Sequence, residues 1–298
     1  MNIEYLKYFY QVATMGSISK VAKEAHISQS ALSQQIFKLE EILGCQLLER
    51  SNKGVELTSK GKIVLKYVEN ILKTYDTMLE HLYSDNESTR IIKIEACWPI
   101  ATYSLPCVMY KIKNKFPKHN YQLNPNESDR IEENILNDIC DLGVIYKQPK
   151  NPELCHYIIG KDQIVLVAPF KYQIPQEIEL KDLIKYSFIL LNDKNYVIDP
   201  IKSEIKKIGL RMEDFKILYH SDSVESVKSS ILNQFGLGFL PYTSIKKELY
   251  HRQLKIVDIK GFSVECDMHL IYHKEIKKNP SLNEFIQYFK KIAQRSLC

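Results

Sequence analysis

An uncharged polar segment near the start of the chain carries residue types that suit contact with nucleic-acid bases. Four side chains fall at i, i+1, i+4 and i+5 and so share one helix face: Gln29, Ser30, Ser33 and Gln34. Gln can bond the N6 and N7 atoms of adenine, and Ser can donate or accept at a base edge. No charged residue occurs from Ser28 to Phe37. The segment therefore predicts base contacts in a major groove, and the alternative interpretation is an ordinary polar surface helix.

Basic residues that could bind backbone phosphates flank this segment. They are Lys20, Lys23, Lys38, Arg50 and Lys53. Phosphate contacts fix the register of a protein on a duplex without reading sequence. Arg50 and Lys53 stand in a turn-rich stretch, where they could also enter a minor groove.

Short helices and tight turns must position these groups. The apolar spacing predicts a first helix ended by Gly16, a second over 19–25 after the N-cap candidate Ser17, and a third from Gln29 to about Leu43 after Ser28. Two such helices joined by a turn of about four residues form a helix-turn-helix. The runs 47–50 and 55–57 flank a turn and predict a two-stranded wing.

A long helix is predicted next, from Ser59 to about Tyr83, with Thr58 as its N-cap. Its apolar residues are spaced 4, 3, 4, 3 and 4 apart: Val64, Val68, Ile71, Tyr75, Met78 and Leu82. This is the a/d pattern of a coiled-coil seam. The pattern favours pairing with a second copy, and the alternative is packing against the helix's own domain.

The chain changes character after a polar hinge at 84–89. Short apolar runs alternate with helical patterns from residue 91 onward, beginning with 91–96 and 106–116. Strand and helix alternation is typical of parallel sheets with helices on both faces. About 210 residues of this pattern predict two lobes and an α/β fold class.

Several motifs resemble the LysR-type transcriptional regulator family. The similar residues of the first part are Leu6–Ala13, Gly16–Ile18, Ala22, Ala25, Ile27–Ile36, Leu39–Glu40, Leu43–Gly44, Leu47–Arg50, Val55–Thr58 and Gly61. Those of the second part are Ser104–Pro106, Phe116–Pro117, Asp141–Ile145 and Gly236–Pro241. The resemblance spans nearly the whole chain, and its strongest motifs lie in the first 60 residues.

The resemblance implies a winged helix-turn-helix domain at 1–59, a dimerising linker helix and hinge at 60–89, and an effector domain at 90–298. The effector domain would resemble periplasmic binding proteins, with a first lobe at about 90–163 and 267–298 and a second at about 164–266. The implied partners are double-stranded promoter DNA, a small-molecule effector and further copies of the chain, as a dimer through the linker helix and a homotetramer. RNA polymerase is a further candidate partner.

The resemblance also assigns residues. Gln29, Ser30, Ser33 and Gln34 match the base-contacting positions, with Lys38 nearby and Arg50 and Lys53 in the wing. The chain departs from the family at Ser30, where proline is common, and at Gln34, where arginine is common. The major-groove contacts of this chain would therefore be uncharged.

The matching effector-cleft positions are Cys97, Trp98, Thr102, Ser128, Asn192, Ser221 and Ser223. Many relatives have Ser or Thr where Cys97 and Trp98 stand. Helix capping or turn formation is an equal alternative for the polar residues of this set. Cys97 is also a candidate redox sensor, with a buried packing thiol as the alternative.

Composition excludes several other classes of protein. The 298 residues include 45% hydrophobic and 26% charged residues and carry a net charge of +5, which argues against wholesale disorder. The longest apolar runs are too short to cross a membrane. Seven cysteines without a Cys-x-x-Cys pair predict reduced thiols in a cytoplasmic protein. No nucleophile, P-loop or metal-binding motif supports the rival interpretation as a two-lobed enzyme, and no cofactor is predicted.

Overall fold

The computed structural model describes residues 2–51, 54–83, 91–192 and 197–297, and of residues 50, 51, 80, 81, 83, 277 and 278 it describes the backbone alone. The contacts within the chain form two compact units, Met1–Glu87 and Ser88–Cys298. The predicted hinge at 84–89 lies outside the described residues. None of the described helices is long and apolar enough to span a membrane.

The first unit consists of three short helices, a two-stranded wing and a long helix. These are α1 (Ile3–Met15), α2 (Ile18–Glu24), α3 (Gln29–Leu43), β1 (Leu48–Ser51), β2 (Gly54–Leu57) and α4 (Ser59–Tyr83). The predicted caps are present: Ser17 accepts a hydrogen bond from the Lys20 backbone N–H, and Ser28 accepts one from that of Ala31. Gly16 and Gly44 end α1 and α3 with φ of 63° and 64°, a conformation that glycine adopts without strain. The helix-turn-helix and wing predicted from the sequence are confirmed.

The core of the first unit lies between the helices. Its buried residues include Leu6, Phe9, Val12, Leu32, Ile36, Leu39 and Val68. Val68 belongs to α4, so one side of the long helix packs within its own unit. Ile71, Met78 and Leu82 of the predicted seam are exposed instead. The six predicted seam residues therefore do not lie in one environment. The prediction that Val68 belongs to a pairing seam is wrong, because this residue is buried in the core of its own unit.

An exposed apolar stripe on α4 replaces the predicted seam. It consists of Ile63, Tyr67, Ile71, Met78 and Leu82, which we call the α4 stripe. The prediction missed Ile63 and Tyr67 because the sequence does not show which side of the helix α1 covers.

The second unit is an α/β structure. Its helices are α5 (Pro106–Lys115), α6 (Ser128–Leu136), α7 (Ile198–Lys207), α8 (Val224–Leu232), α9 (Lys246–Tyr250) and α10 (Pro280–Ser296), with a π-helical turn at Ile100–Ser104. Its strands are β3 (Ile91–Ala96), β4 (Asn120–Pro125), β5 (Leu142–Ile145), β6 (Leu154–Pro169), β7 (Glu177–Ile178), β8 (Ser187–Leu191), β9 (Lys216–Ser221), β10 (Gly238–Pro241), β11 (Leu254–Ile259) and β12 (Val264–His273). Short 3₁₀ turns span Leu180–Lys185, Met212–Asp214, Tyr242–Ser244 and Lys274–Lys278.

The sheet order produces two lobes. One path runs β4-β3-β5-β12-β6-β11-β7, β10 also pairs with β6, and β8 pairs with β9 apart from this path. The first lobe holds β3, β4, β5 and most of β12, and the second holds β7 to β11, while the 16-residue strand β6 runs through both. The two-lobed α/β fold class is confirmed. The eight-stranded sheet is mixed rather than parallel, because β12 runs antiparallel to both β5 and β6, whereas β8 and β9 pair in parallel.

Cysteine usage differs from the prediction at one residue. Cys45, Cys97, Cys140, Cys155 and Cys266 are free thiols. Cys107 is disulfide-bonded, so the prediction that every cysteine is reduced is wrong for this residue.

Candidate functional site

The predicted base-reading residues lie along one side of α3. Gln29, Ser30 and Gln34 are exposed and Ser33 is half-buried, whereas Leu32 and the other apolar residues of α3 face the core. The Ser30 and Ser28 hydroxyl groups lie 3.0 Å apart, which orients one hydroxyl at the start of the helix. The structure therefore brings two amides and two hydroxyls together on one solvent-facing surface, which we call the α3 polar face.

The charged groups around this face are arranged unequally. Lys38 is exposed on α3. Glu40 is turned away, because its Oε1 accepts hydrogen bonds from the backbone N–H groups of Leu47 at 2.7 Å and Leu48 at 3.1 Å. This carboxylate thus binds α3 to the start of the wing. The Arg50 side chain and Lys53 lie outside the described residues.

The wing is fixed to the rest of the first unit by backbone contacts. The Val55 N–H donates to the Gly16 carbonyl at 3.0 Å, and the Thr58 hydroxyl donates to the Gln46 carbonyl at 2.8 Å. A Cβ atom at Gly61 would lie 2.1 Å from the Leu47 carbonyl oxygen, so only glycine fits where α4 passes the wing. These contacts hold the described wing strands against the end of α1 and the start of α4, and the Glu40 hydrogen bonds join them to α3.

Two of the predicted effector residues meet at the end of β3. The Cys97 sulfur lies 3.1 Å from the Ser128 hydroxyl oxygen. Burial raises the pKa of the Cys97 thiol, and its hydrogen bonds to Ser128 and the Tyr146 backbone only partly offset this effect. The thiol is therefore neutral at physiological pH. Trp98 and Thr102 are exposed beside it.

The remaining predicted residues form a second group at the end of β8 and β9. The Asn192 side-chain amide donates to Asp222, and the Asn192 backbone N–H donates to the Ser221 carbonyl at 3.1 Å. Ser223 caps α8 by accepting from the Ser226 N–H, and the Ser221 hydroxyl accepts from the Ser223 N–H. Across the described parts of the chain, no hydrogen bond joins this group to Cys97 or Ser128.

The structure adds a cavity between the lobes that the sequence did not indicate. It has a volume of about 280 Å³. Its walls are Tyr146, Lys147, Asp199, Pro200, Glu265, Cys266, Asp267 and His269. Lys147 of the first lobe and Asp199 of the second lie 3.8 Å apart across it. Burial, and then the neighbouring His156, lower the pKa of His269.

A buried carboxylate lies on β6 where that strand passes between the lobes. Asp162 accepts hydrogen bonds from the Tyr146 hydroxyl at 3.2 Å and from the Thr243 hydroxyl at 2.6 Å. Burial raises the pKa of Asp162, although these hydrogen bonds act in the opposite direction. Tyr146 belongs to the first lobe and Thr243 to the second, so Asp162 connects them.

A second set of contacts joins the lobes at α8. Lys228 is buried and forms ion pairs with Glu225 at 2.8 Å and Glu248 at 3.1 Å. Its ammonium also donates to the Ser244 carbonyl and lies 5.3 Å from the ring centre of Tyr103. The Tyr103 hydroxyl, from the first lobe, donates to Glu225. In the sequence, this cluster is indicated only by Lys228, which lies on a side of α8 that otherwise carries apolar and small residues.

The described residues contain no group of three or more His, Cys, Asp or Glu side chains that could hold a metal ion.

The winged helix-turn-helix and the two-lobed α/β unit together define a DNA-binding transcriptional regulator with an effector-binding domain. The family described as "Bacterial regulatory helix-turn-helix protein, lysR family" matches residues 3–62, and "LysR substrate binding domain" matches residues 86–294. The chain belongs to the LysR family of transcriptional regulators. The resemblance inferred from the sequence is confirmed.

Relatives and solved structures of similar length agree with this assignment. A probable RuBisCO transcriptional regulator of Trieres chinensis is 25% identical over 95% of this chain and 94% of its own length. The HTH-type transcriptional regulator CysL of Bacillus subtilis is 24% identical over 100% of this chain and 99% of its own. The crystal structure of CbnR, a LysR family transcriptional regulator, superposes with a TM-score of 0.76 at 21% identity, covering 98% of this chain and 99% of CbnR. Full-length CbnR in complex with its target DNA superposes with a TM-score of 0.72 at 21% identity, with the same coverage.

Proposed function

We propose that this regulator reads its operator through the α3 polar face, using amides and hydroxyls in place of charged groups. Gln29, Ser30, Ser33 and Gln34 would contact base edges in the major groove. The observation that carries this proposal is that Gln29, Ser30 and Gln34 are exposed, with Ser33 half-buried beside them, on a capped helix whose opposite side is buried. The existence of a DNA complex of CbnR, which shares the fold, supports it.

Phosphate contacts come from the basic residues at the edges of this surface. Lys38 is exposed beside the α3 polar face. Arg50 and Lys53 of the wing are the other two proposed phosphate contacts, and both are predicted from the sequence alone. Because guanidinium binds phosphate in a bidentate manner and also suits narrow minor grooves, Arg50 is the stronger of the two wing contacts.

The effector is a small molecule bound between the two lobes. Cys97, Trp98, Thr102 and Ser128 contact it from the first lobe, and Asn192, Ser221 and Ser223 from the second. The neutral Cys97 thiol can donate a weak hydrogen bond but supplies no charge, so it offers no counter-charge to a carboxylate.

Assembly uses the α4 stripe. An exposed row of apolar side chains on a 25-residue helix is most stable when another copy covers it. The dimer formed in this way assembles further into a tetramer, and RNA polymerase is the partner at the promoter. The domain boundaries of this scheme are 1–59, 60–89 and 90–298, with lobes at about 90–163 with 267–298 and at about 164–266.

The chain acts as a regulator in the cytoplasm and carries out no enzymatic reaction. The family and its relatives are transcriptional regulators, and the predicted cleft residues make helix caps and local hydrogen bonds rather than a nucleophile-and-base arrangement. A regulator that senses redox state through Cys97 is disfavoured, because the raised pKa of this thiol keeps it unreactive.

The test is a binding titration of the full chain on the promoter region beside its own gene and on random DNA at one salt concentration. Gln29→Ala and Ser33→Ala should each weaken specific binding by about 1–3 kcal/mol and leave binding to random DNA nearly unchanged. Gln11→Ala removes an exposed amide from α1 and is the matched control, which should change neither affinity. Equal losses on both DNAs would show that α3 does not read sequence.

A further inference from the structure

An aromatic side chain stands exposed on α3 among the polar residues. Phe37 is 58% exposed. In the described part of the first unit it makes no aromatic or cation–π contact. A phenyl ring in water loses the large favourable free energy that its burial would provide. The position of this ring on the helix indicates what could cover it.

Phe37 lies on the same side of α3 as the polar face, about one turn beyond Ser33 and Gln34. Each residue of an α-helix advances about 100° around the axis. Measured from Gln29, Ser33 lies at about 40°, Phe37 at about 80°, Ser30 at about 100° and Gln34 at about 140°. Around the helix axis, the proposed base contacts therefore lie on both sides of the ring. Along the axis, the ring lies about 6 Å beyond Ser33, on the side away from Gln29, so a duplex that contacts Ser33 and Gln34 is within reach of it.

The surroundings of Phe37 suit a DNA contact. Lys38, the next residue, is exposed and cationic. Glu40, one turn further along, binds the Leu47 and Leu48 N–H groups and so does not present its charge beside the ring. Glu41 is exposed one turn beyond Phe37, on the side of the ring away from the proposed base contacts. The phenyl ring can neither donate nor accept a conventional hydrogen bond, so it cannot recognise the polar groups at the edge of a base.

We propose that Phe37 contacts the 5-methyl group of a thymine in the major groove, so that this regulator recognises an A·T pair by apolar contact. The thymine methyl is the one apolar group that a base pair presents there, and Phe is among the side chains that pack against it. This inference rests on the proposed function of α3 and adds a specificity-determining residue to it. With Gln suited to adenine and Phe37 to thymine, the half-site read by α3 contains A·T pairs.

The experiment changes the methyl group rather than the protein. A specific duplex is selected from a random library with the full-length wild-type chain, and each thymine is then replaced singly by deoxyuridine, which lacks only the methyl. Loss of one buried methyl contact corresponds to about a four-fold loss of affinity. We expect this loss at one thymine in each half-site. The Phe37→Ala variant should bind the unmodified duplex about as weakly as wild type binds the deoxyuridine duplex, and should not respond to that replacement.

Two variants serve as controls. Phe37→Leu keeps an apolar side chain and should retain part of the response to deoxyuridine. Ile42→Ala removes a similarly exposed apolar side chain, 52% exposed, at about 220° on the same helix, and should retain the full response. Wild-type binding that is unaffected at every thymine, or a Phe37→Ala variant as sensitive as wild type, would overturn the inference while leaving the proposed function in place. Failure of the wild type to select any sequence would overturn the proposed function, and the inference with it.

Discussion

Lys228 provides the sharpest test of the buried charge cluster at α8. Its side chain is 8% exposed and lies between Glu225, which is 60% exposed, and Glu248, which is 12% exposed. The Glu248 Oε2 atom is buried and has no hydrogen-bond partner. Lys228 therefore neutralises a largely buried carboxylate. Substitution by Met keeps the length and shape of the side chain and removes only the charge and its hydrogen bonds.

The expected effect follows from the burial of each partner. Removing one member of a buried ion pair costs about 3–5 kcal/mol, because the other charge is left uncompensated. For a domain of this size each kcal/mol corresponds to about 2–4 °C, so Lys228→Met should lower the Tm of the second unit by about 6–20 °C. Glu225→Gln is the matched control. Burial acts to raise the pKa of Glu225, but hydrogen bonds from Lys228 and Tyr103 outweigh it and the pKa lies below its usual value. Because Glu225 is mostly exposed, its loss should cost about 1 kcal/mol or less.

Thermal unfolding of the full chain, followed by circular dichroism and calorimetry, measures these effects. The double variant Lys228→Met with Glu248→Met decides the cause. Replacing both partners of a buried pair by apolar groups of similar size is close to neutral, so the double variant should recover most of the lost stability. A single variant that loses less than about 1 kcal/mol, or a double variant as unstable as the single one, would refute the account of a buried, compensated carboxylate.

Three further predictions concern assembly, pH and thiol reactivity. Ile71→Glu places an unpaired charge in the α4 stripe and should disrupt the dimer in analytical ultracentrifugation. Lys62→Glu changes an exposed residue on another side of α4 and should leave the dimer intact. An unchanged mass for Ile71→Glu would show that the stripe is free. Because the pKa of His269 is lowered in the folded state, this residue favours folding above its ordinary pKa of 6.5, and the contribution is lost as the pH falls below 6.5. The His269→Gln variant should therefore show a smaller fall in Tm between pH 7.5 and pH 5.5 than the wild type. An equal fall in both proteins would contradict this prediction. Cys97 should react with iodoacetamide more slowly than the half-buried Cys45 in the native protein, and equal rates would restore the redox interpretation.

The first unit was predictable from sequence because its signals are local. Ser28 caps the helix that begins one residue later, Gly44 ends it, and the spacing of Leu32, Ile36 and Leu39 fixes its buried side. These rules act over one or two helical turns. The exposed face then follows by elimination, and with it the residues proposed to read DNA. Phe37 was overlooked because an apolar residue in a helix is ordinarily assigned to the core.

The second unit was predictable only as alternating strands and helices. Its lobes form because β6 and β12 run antiparallel through the middle, a pairing between residues about 100 positions apart that no local pattern reveals. Asp162 and Thr243 are 81 positions apart, and Tyr103 and Glu225 are 122 positions apart. Residues that join the lobes were therefore invisible to sequence reasoning. Those predicted for the cleft, such as Ser223, were found by local motifs and do make local bonds.

The contacts between the lobes differ greatly in strength, which bears on how an effector could act. Asp162 is buried and accepts hydrogen bonds from Tyr146 of the first lobe and Thr243 of the second, so breaking these contacts leaves a desolvated charge. Lys147 and Asp199 lie 3.8 Å apart with side chains 59% exposed, and such a pair contributes about 1 kcal/mol or less. This weak pair lines the cavity between the lobes. A polar molecule entering there can replace the Lys147–Asp199 contact at little cost, while the buried contacts keep the lobes joined.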